Sequence, residues 1–369
     1  MIEVDATAVP DRPSGVRTRL RGLYAAYGRL AGVPEVRLVV ARNSTLLAEC
    51  ELGRVSVAEA RPAPGPLLRC VRRLLEPTAR AAREPLTHHE TLPPGRAPAL
   101  VTIHDVRYLL SPYESGLGWT AHTIRKAAYR TFLRRVLRRT AEVVTVSEAT
   151  RLSLLERLGL EPSRVHVVEN ARWLEPVEAR PSRATGPAFL LTVGHLEARK
   201  GLDLVIEALG LLRRSGREVP CLRVVGDGPA RPAWQRRARS LGVHQEVQLL
   251  GPRPDTEVAS LYRQARALVF PSRHEGFGFP VYEALAHGCP ALVTPLPCFD
   301  GLPAPAVRAI PAEPVRWADA LSETVQQPGP FRDAVGAARE TLRSSTWTHS
   351  AEVLADVYER FSATCSRTR

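Results

Sequence analysis

The sequence predicts an α/β protein with two parallel β-sheets, and three observations lead to this class. Short apolar runs alternate with helical patterns, an order that produces parallel strands covered by helices on both faces. The chain has 369 residues, which is too long for one ordinary hydrophobic core. The alternation stops at residues 171–187, which are rich in Pro, Arg, Glu and Ala, and resumes at residue 189. We therefore expect two domains joined by a linker.

The first half contains apolar runs of strand length separated by turn signals. A turn at residues 12–15 separates the first strand from a helix that we expect at about residues 16–30. Ser147 is a suitable N-cap for the helix that follows a later strand. The predicted strands of this half are 2–9, 36–41, 100–103, 143–146 and 165–168.

The second half repeats the pattern, with a helix expected at residues 201–214. Its predicted strands are 189–193, 222–225, 247–250, 267–270 and 291–293. Ligands of open α/β sheets bind beyond the carboxyl ends of the strands. The turns at such ends, which are the candidate ligand positions of both halves, contain Gly15, His104, Gly194, Gly226 and Gly276.

Residues 271–287, PSRHEGFGFPVYEALAH, combine a glycine-rich turn with two carboxylates. The apolar run before Pro271 predicts a strand that Pro271 ends, and Glu275 lies at this end of the strand, before the turn. Pro280 fits the first turn of a helix that contains Glu283. Such a helix N-terminus suits a diphosphate, because its unpaired N–H groups and its dipole favour an anion. The carboxylates are able to accept hydrogen bonds from ribose and sugar hydroxyls. The turn alone leaves both a nucleotide-sugar site and simple strand–helix packing open.

The composition argues against several classes of protein. The formal net charge is +13, and Lys126 and Lys200 are the only lysines among the 51 basic residues. This charge favours anionic partners, but no reader motif indicates nucleic acid. The six cysteines form no CxxC pair, which argues against a zinc or redox motif. No apolar run reaches the length of a membrane span and the N-terminus lacks a signal-peptide pattern, so we expect a cytoplasmic protein with reduced thiols.

A basic amphipathic segment at residues 67–83 leaves peripheral membrane contact open. Its leucines recur at helical spacing and arginines surround them. A helix of this kind lies on an anionic membrane in some proteins and buries its leucines in its own domain in others. We favour the second arrangement, because core-facing amphipathic helices are the common case.

Four blocks of the sequence, in this order, resemble the family-4 retaining glycosyltransferases of GT-B fold. They are VVTVSEATRLSLLERLGLEPSRVHVVENA, LLTVGHLEARKGLDLVIEAL, RVVGDGP and VQLLGPRPDTEVASLYRQARALVFPSRHEGFGFPVYEALAHGCPALVT. Glu275 and Glu283 match the EX7E motif of that family. The resemblance runs across nearly the whole chain and implies two Rossmann-like domains facing each other across a cleft. The implied limits are an N-terminal acceptor-side domain at 1–170, a linker at 171–187, a nucleotide-sugar-binding domain at 188–345 and a C-terminal helix at 346–369 that crosses back to the first domain.

The resemblance implies a donor site in the second domain. Glu283 would bind the ribose of the donor nucleotide, and Glu275 would contact the transferred sugar. Lys200, together with Arg199, would neutralise the diphosphate as it leaves, because cations stabilise the charge that develops there. The backbone N–H groups that would meet the sugar or the diphosphate belong to Gly276, Phe277 and Gly278.

The resemblance also implies positions in the first domain. Gly15, in SGVRTRL, would let the backbone approach the donor. His104, in VTIHD, matches the family histidine near the donor sugar. A lone histidine is often structural, but its place after a strand and before Asp105 favours a function. His88 and His89, in THHETLPP, fall where relatives line the acceptor side.

Two departures from the family pattern affect the donor site. His195 stands where many relatives have an arginine that contacts phosphate, so Arg199 compensates or phosphate recognition depends on Lys200 alone. Beyond Val293 the chain is shorter and richer in proline than the usual family segment, which affects contacts of that loop near the donor.

The implied reaction transfers a hexose-type sugar from a UDP-, GDP- or dTDP-sugar to a hydroxyl group of a glycan, a glycolipid or a small natural product. The anomeric configuration would be retained, through a front-face mechanism in which the leaving phosphate helps to deprotonate the acceptor. The candidate catalytic residues are Glu275, Lys200 and His104. We expect no cofactor beyond the nucleotide-sugar substrate and no metal ion, because the sequence has no DxD motif.

Three other interpretations remain for comparison. A glycosidase would place two carboxyl groups about 5 Å apart, but Glu283 should face ribose and not the anomeric carbon. A GT-B sugar phosphorylase or epimerase is disfavoured by the ARKG and EGFGFPVYE blocks. A membrane-docked, non-catalytic GT-B subunit is disfavoured because Glu275, Glu283 and Lys200 are all present.

Overall fold

The computed structural model describes residues 1–9, 11, 14–47, 50–60, 86–91, 99–109, 119–140, 142–174 and 188–367. The chain divides into two compact units. Unit 1 comprises Met1–Leu110, Thr123–Ala171 and Ser345–Arg369, and unit 2 comprises Ser111–His122 and Arg172–Ser344. The segment predicted at 67–83 and most of the predicted linker lie outside the described residues.

Unit 1 contains a parallel sheet that has seven strands among the described residues. They are β1 (Ile2–Asp5), β2 (Val36–Ala41), β3 (Ser56–Ala60), β4 (Leu86–His89), β5 (Ala99–Ile103), β6 (Glu142–Thr145) and β7 (Val165–Val167). Their order is β3-β2-β1-β4-β5-β6-β7, and every pair is parallel. The order reverses between β1 and β4, and such a switch point is where open α/β sheets bind ligands.

Four helices cover this sheet within the described part of unit 1. They are α1 (Gly15–Tyr27), α2 (Trp119–Arg139), α3 (Glu148–Leu158) and a helix at Trp347–Arg367, called the C-terminal helix below. Ser14 caps α1 by accepting a hydrogen bond from the backbone of Arg17, and Ser147 caps α3 as predicted. The C-terminal helix buries Tyr358 and Phe361 completely, in the same core as α1 and strands β1 and β2.

Unit 2 contains a second parallel sheet, with six strands in the part of the unit that the structure describes. They are β8 (Phe189–Val193), β9 (Cys221–Val225), β10 (Val247–Gly251), β11 (Leu268–Phe270), β12 (Ala291–Val293) and β13 (Val307–Ala309). Their order is β10-β9-β8-β11-β12-β13, and all ladders are parallel. The switch point lies between β8 and β11.

In the described part of unit 2, one α-helix follows each of the strands β8, β9, β10 and β11, and two α-helices follow β13. They are α4 (Leu202–Arg214), α5 (Arg231–Ser240), α6 (Asp255–Gln264), α7 (Phe279–Ala286), α8 (Pro314–Gln326) and α9 (Gly329–Leu342). Trp317 on α8 is fully buried in the core that α4 shares with the sheet. Across the described part of the chain, no helix combines the length and the apolar character that crossing a membrane requires.

The predicted α/β class with two parallel sheets is confirmed, and some element limits are corrected. Strands at 36–41 and 189–193 lie where predicted, whereas the first strand ends at Asp5 instead of residue 9. Strands β3, β4 and β13 escaped prediction. β3 is largely exposed at the sheet edge and is interrupted by Glu59, and β4 ends in two histidines, so neither has the continuous apolar run that marks a parallel strand. Gly15 is the first residue of α1 and not part of a turn.

Candidate functional site

Two loops at the switch point of unit 2 are locked together. One follows β8 and contains a short 3₁₀ helix, Ala198–Lys200; the other follows β11. Gly201 has a φ of +66°, and a Cβ atom there would overlap the carbonyl oxygen of Pro271. The backbone N–H of Arg273 donates to the carbonyl of Arg199 at 2.8 Å. These contacts fix Lys200 against the loop that contains Glu275.

Glu275 accepts three hydrogen bonds on one carboxylate oxygen. Lys200 Nζ lies 2.7 Å from Oε1, Arg199 Nη1 lies 3.1 Å from it, and Ser272 Oγ donates to it at 2.8 Å. Lys200 Nζ also lies 4.7 Å from the centre of the Phe270 ring. The side chains of Lys200 and Glu275 are only 12% and 9% exposed, so this ion pair is shielded from solvent. Glu275 lies five residues beyond the end of β11, and not at the strand end as predicted.

The electrostatics of this group keep Glu275 ionised. Burial by itself raises the pKa of Glu275, but Lys200 and Arg199 outweigh that effect and lower the pKa to about 2. Burial lowers the pKa of Lys200, against the Glu275 carboxylate, which raises it. Arg199 also donates to Glu197 at 2.8 Å and to the carbonyl of His274 at 3.2 Å. Arg199 is therefore held between two carboxylates.

A small pocket lies beside Lys200 at the carboxyl ends of β8 and β11. Lys200 lines this pocket, whereas Arg199 does not. His195 lines it too. Gly226, in the RVVGDGP block, packs so closely behind the pocket that a Cβ atom would overlap the carbonyl of Gly194. The lining residues are Thr192, Val193, Gly194, His195, Leu196, Lys200, Trp234, Phe270, Pro271 and Ser272. The position and the charge of the pocket suit one phosphate group.

The predicted glycine turn leads directly into α7. Gly278 is the N-cap residue with a φ of +87°, and a Cβ atom there would lie 2.5 Å from the Phe299 ring. Pro280 stands in the first turn of α7, as predicted. The Phe277 side chain is buried and stacks on Tyr282 with ring centres 4.5 Å apart, so only its backbone is available to a ligand. Gly276 belongs to the same turn.

Glu283 lies on α7 and is held by one hydrogen bond. Tyr262 Oη donates to Oε2 at 3.0 Å, and no described residue donates to Oε1. Burial raises the pKa of Glu283, and the bond from Tyr262 opposes that shift. Tyr262 is in turn stacked on His287, with ring centres 5.8 Å apart. The arrangement leaves one carboxylate oxygen for a ligand hydroxyl.

The predicted residues of unit 1 have different surroundings. His104 follows β5, is 21% exposed, and has its Nε2 2.9 Å from the carbonyl of Glu90. His89 Nδ1 lies 3.1 Å from Asp5 Oδ2. His88 is fully buried, with one ring nitrogen 2.7 Å from Tyr358 Oη and the other 2.8 Å from Thr102 Oγ1. Both nitrogens of His88 are therefore occupied inside unit 1, so the predicted acceptor-side contact has no free ring nitrogen to make it.

The structure brings together Arg199, Lys200 and Glu275 with the turn of Gly276, Phe277 and Gly278, and places Glu283 on the following helix. Gly15, His88, His89 and His104 belong to unit 1. Ser272 and Tyr262, which donate hydrogen bonds to Glu275 and Glu283, were not predicted from the sequence. Both lie in the fourth of the blocks that resemble the family, and no other feature of the sequence indicated them. Glu90, beside the histidine pair, was not predicted either. In the described part of the chain, no group of three or more His, Cys, Asp or Glu is placed to hold a metal ion.

Comparison with known proteins gives matches along both units. Residues 14–171 match the model of the glycosyl transferase 4-like domain, and residues 176–328 match that of glycosyl transferases group 1. Glycogen synthase of Mycobacterium tuberculosis is 29% identical over 299 residues, which cover 76% of this chain and 70% of that protein.

Solved structures match over nearly the full length. WaaG, a glycosyltransferase involved in lipopolysaccharide biosynthesis, superimposes with a TM-score of 0.69 at 18% identity, covering 97% of this chain and 99% of that one. Anabaena Alr3699/HepE, solved in complex with UDP and glucose, gives a TM-score of 0.69 at 15% identity with the same coverage. At these identities the likeness establishes the arrangement of strands and helices.

Proposed function

The chain belongs to the group 1 glycosyltransferases of GT-B fold, and we propose that it moves a hexose-type sugar from a nucleotide-diphosphate sugar to a hydroxyl group with retention at the anomeric carbon. One observation carries the donor half of this proposal. Lys200 lines a pocket at the switch point of unit 2 and is paired with Glu275, while Glu283 stands on the adjoining helix.

The pocket beside Lys200 receives one phosphate group of the diphosphate in this proposal. An ammonium group near the carboxyl ends of β8 and β11 attracts the phosphates and stabilises the negative charge that grows as the sugar leaves. The N-terminus of α7 adds a favourable dipole and backbone N–H groups, although Pro280 contributes none. Lys200 lines the pocket, whereas Arg199 does not line it and is held by both Glu197 and Glu275, so phosphate recognition depends mainly on Lys200.

The two glutamates have unequal roles in this proposal. Tyr262 occupies Oε2 of Glu283, so Oε1 accepts a hydrogen bond from a ribose hydroxyl. Glu275 is ionised, and its Oε1 is saturated by Lys200, Arg199 and Ser272. Its second oxygen accepts a hydrogen bond from a hydroxyl of the transferred sugar.

In unit 1, we propose that His104 contacts a substrate hydroxyl and that His89 lies on the acceptor side. His88 is left out of this role because both of its nitrogens are occupied. HepE was solved with UDP and glucose, which makes UDP the first nucleotide to examine. We propose a hydroxyl of a glycan, a glycolipid or a small natural product as the acceptor, and a reaction without a divalent metal ion.

A thermal denaturation series with nucleoside diphosphates tests the donor site. UDP, GDP, dTDP and ADP are compared for the native chain, for Glu283→Ala and for Glu323→Ala. Glu323 is a matched control because its side chain is 46% exposed on α8. We expect one nucleotide to raise the melting temperature of the native chain and of Glu323→Ala but not of Glu283→Ala. Absence of stabilisation by every nucleotide, or a full shift in Glu283→Ala, contradicts the proposal.

A further inference from the structure

Glu90 occupies the centre of a buried polar cluster in unit 1. Its side chain is fully buried at the end of β4. Tyr24 Oη donates to its Oε1 at 2.9 Å, and Arg19 Nε lies 4.0 Å from its Oε2. The same Oε2 lies 3.6 Å from His104 Nε2, and the backbone oxygen of Glu90 lies 2.9 Å from that nitrogen. Glu90 therefore contacts His104 with both its main chain and its side chain.

The carbonyl oxygen and Oε2 of Glu90 both face Nε2 of His104. They determine which ring nitrogen of His104 carries the proton. A carbonyl and a carboxylate are both acceptors, so the nitrogen they face must be a donor. In a neutral imidazole the proton on Nε2 leaves Nδ1 with a lone pair. In the described part of the chain, no group is hydrogen-bonded to Nδ1 of His104.

Burial of the ring favours this neutral form. Burial lowers the pKa of His104; the carboxylates of Glu90 and Asp105 raise it, and Arg19 lowers it. Burial also acts to raise the pKa of Glu90, but His88 and Arg19 outweigh it and the pKa is lowered, so Glu90 is ionised. The negative charge beside Nε2 further favours a proton on that nitrogen.

Arg19 keeps a positive charge beside the same oxygen of Glu90 that His104 faces. The guanidinium is fully buried, and its Nη1 donates to the carbonyl of Val168 and to Asn170 Oδ1, both at 2.8 Å. These acceptors follow β7, so the charge of Arg19 cannot move away from Glu90 without breaking two buried hydrogen bonds. A positive charge therefore stays beside Oε2 of Glu90.

We propose that Glu90 is a positioning residue that holds His104 with Nε2 protonated, so that His104 meets a substrate hydroxyl with Nδ1 as the hydrogen-bond acceptor. The substrate half of this statement rests on the proposed function; the tautomer does not. The resemblance places a histidine near the sugar without indicating which nitrogen is used. An accepting Nδ1 orients the hydroxyl proton towards the ring and leaves the oxygen lone pairs directed elsewhere.

Nitrogen-15 NMR of the histidine-labelled full chain tests the tautomer without any activity measurement. The chain has 10 histidines, and the His104 signals are assigned by their absence in His104→Asn. We expect Nε2 of the native protein to carry the proton and Nδ1 to resonate as an unprotonated nitrogen at neutral pH. A protonated Nδ1 overturns the proposal.

The role of Glu90 is tested by the same signals in Glu90→Gln, with Tyr24→Phe as the matched control. Both changes remove a polar partner of the buried cluster, but only Glu90 faces the ring. We expect Glu90→Gln to lower the pKa of His104 in an NMR titration and to shift both ring nitrogen signals, and Tyr24→Phe to leave them in place. If Glu90→Gln does not fold, Glu90→Asp replaces it, with a shift in the same direction expected. Unchanged His104 signals contradict the positioning role.

A pair of amide substitutions tests the substrate contact. The amide of His104→Asn reaches the position of Nδ1 and offers an accepting oxygen there, whereas the amide of His104→Gln reaches the position of Nε2. We expect kcat to be about fivefold higher in His104→Asn than in His104→Gln, since one hydrogen bond is worth about 1 kcal/mol. The reverse order overturns the assignment of Nδ1. If the native chain transfers no sugar, the proposed function fails while the NMR result still decides the tautomer.

Discussion

Replacement of Lys200 by methionine removes one charge from the pocket and little else. Methionine keeps an unbranched apolar side chain beside the Phe270 ring. Glu275 keeps its bonds from Arg199 and Ser272, at 3.1 and 2.8 Å, so the loop is expected to hold its shape. The substitution therefore isolates the ammonium group.

The size of the effect follows from the ion pair in the free protein. A hydrogen bond to a charged group contributes about 1.5–3 kcal/mol. Lys200 is already bonded to Glu275 at 2.7 Å, so a diphosphate must compete with that carboxylate and the net loss is near the lower value. We expect Kd for the nucleoside diphosphate to rise about tenfold. The loss in kcat is larger, about 10²–10³, because the cation acts on charge that develops during the reaction.

Calorimetric titration of the nucleoside diphosphate and of the matching nucleoside separates phosphate recognition from base and ribose recognition. Lys200→Met is expected to weaken the diphosphate and leave the nucleoside unchanged. Lys126→Met is the matched control, since Lys126 is the only other lysine and lies on α2 of unit 1. Lys200→Arg is expected to recover part of the affinity. Equal losses for diphosphate and nucleoside, or no loss for either, would show that Lys200 does not bind the phosphates.

Three further predictions concern the glutamates and metal ions. Burial raises the pKa of Glu283 above its unfolded value, so the ionised group destabilises the fold increasingly as pH rises through the folded pKa. Glu283→Gln is therefore expected to stabilise the ligand-free protein at pH 7, on the order of 1 kcal/mol. This gain in the free energy of unfolding is expected to vanish below about pH 4. A lower melting temperature of Glu283→Gln at pH 7 contradicts the prediction. Glu275→Gln removes the carboxylate that competes with the diphosphate for Lys200. Calorimetry is therefore expected to show a Kd for the nucleoside diphosphate about tenfold lower, and turnover is expected to be slower. Weaker diphosphate binding argues against competition between Glu275 and the diphosphate. Turnover is expected to persist in excess EDTA because a lysine occupies the phosphate pocket, and recovery of a lost activity by Mg²⁺ or Mn²⁺ would show that a metal ion is required.

The fold was predictable from the sequence where a strand is a continuous apolar run. β5, ALVTI, is buried at every position, and β8 is nearly so. β4 lacks such a run because His88 is buried through a hydrogen bond to Tyr358, which lies 270 residues later. No local pattern encodes that partner. The order of the strands creates the switch points, and no local pattern in the sequence encodes that order either.

The members of the donor site were predictable, but their contacts were not. Lys200 and Glu275 each lie in a block with a recognisable motif, yet they are separated by 75 residues and their ion pair depends on the close approach at Gly201. The sequence left open that Arg199 replaces a missing phosphate-binding arginine. It did not show that Arg199 is hydrogen-bonded to Glu197 and Glu275. The burial of His88 had no sequence signal either.

Hydrogen–deuterium exchange with and without the stabilising nucleoside diphosphate tests the central claim, that this ligand binds where the loops after β8 and β11 meet. We expect slower exchange in residues 194–202 and 271–287 of the native chain, and no such change in Glu283→Ala at the same nucleotide concentration. Slower exchange confined to other segments, or no change at saturating nucleotide, would contradict it.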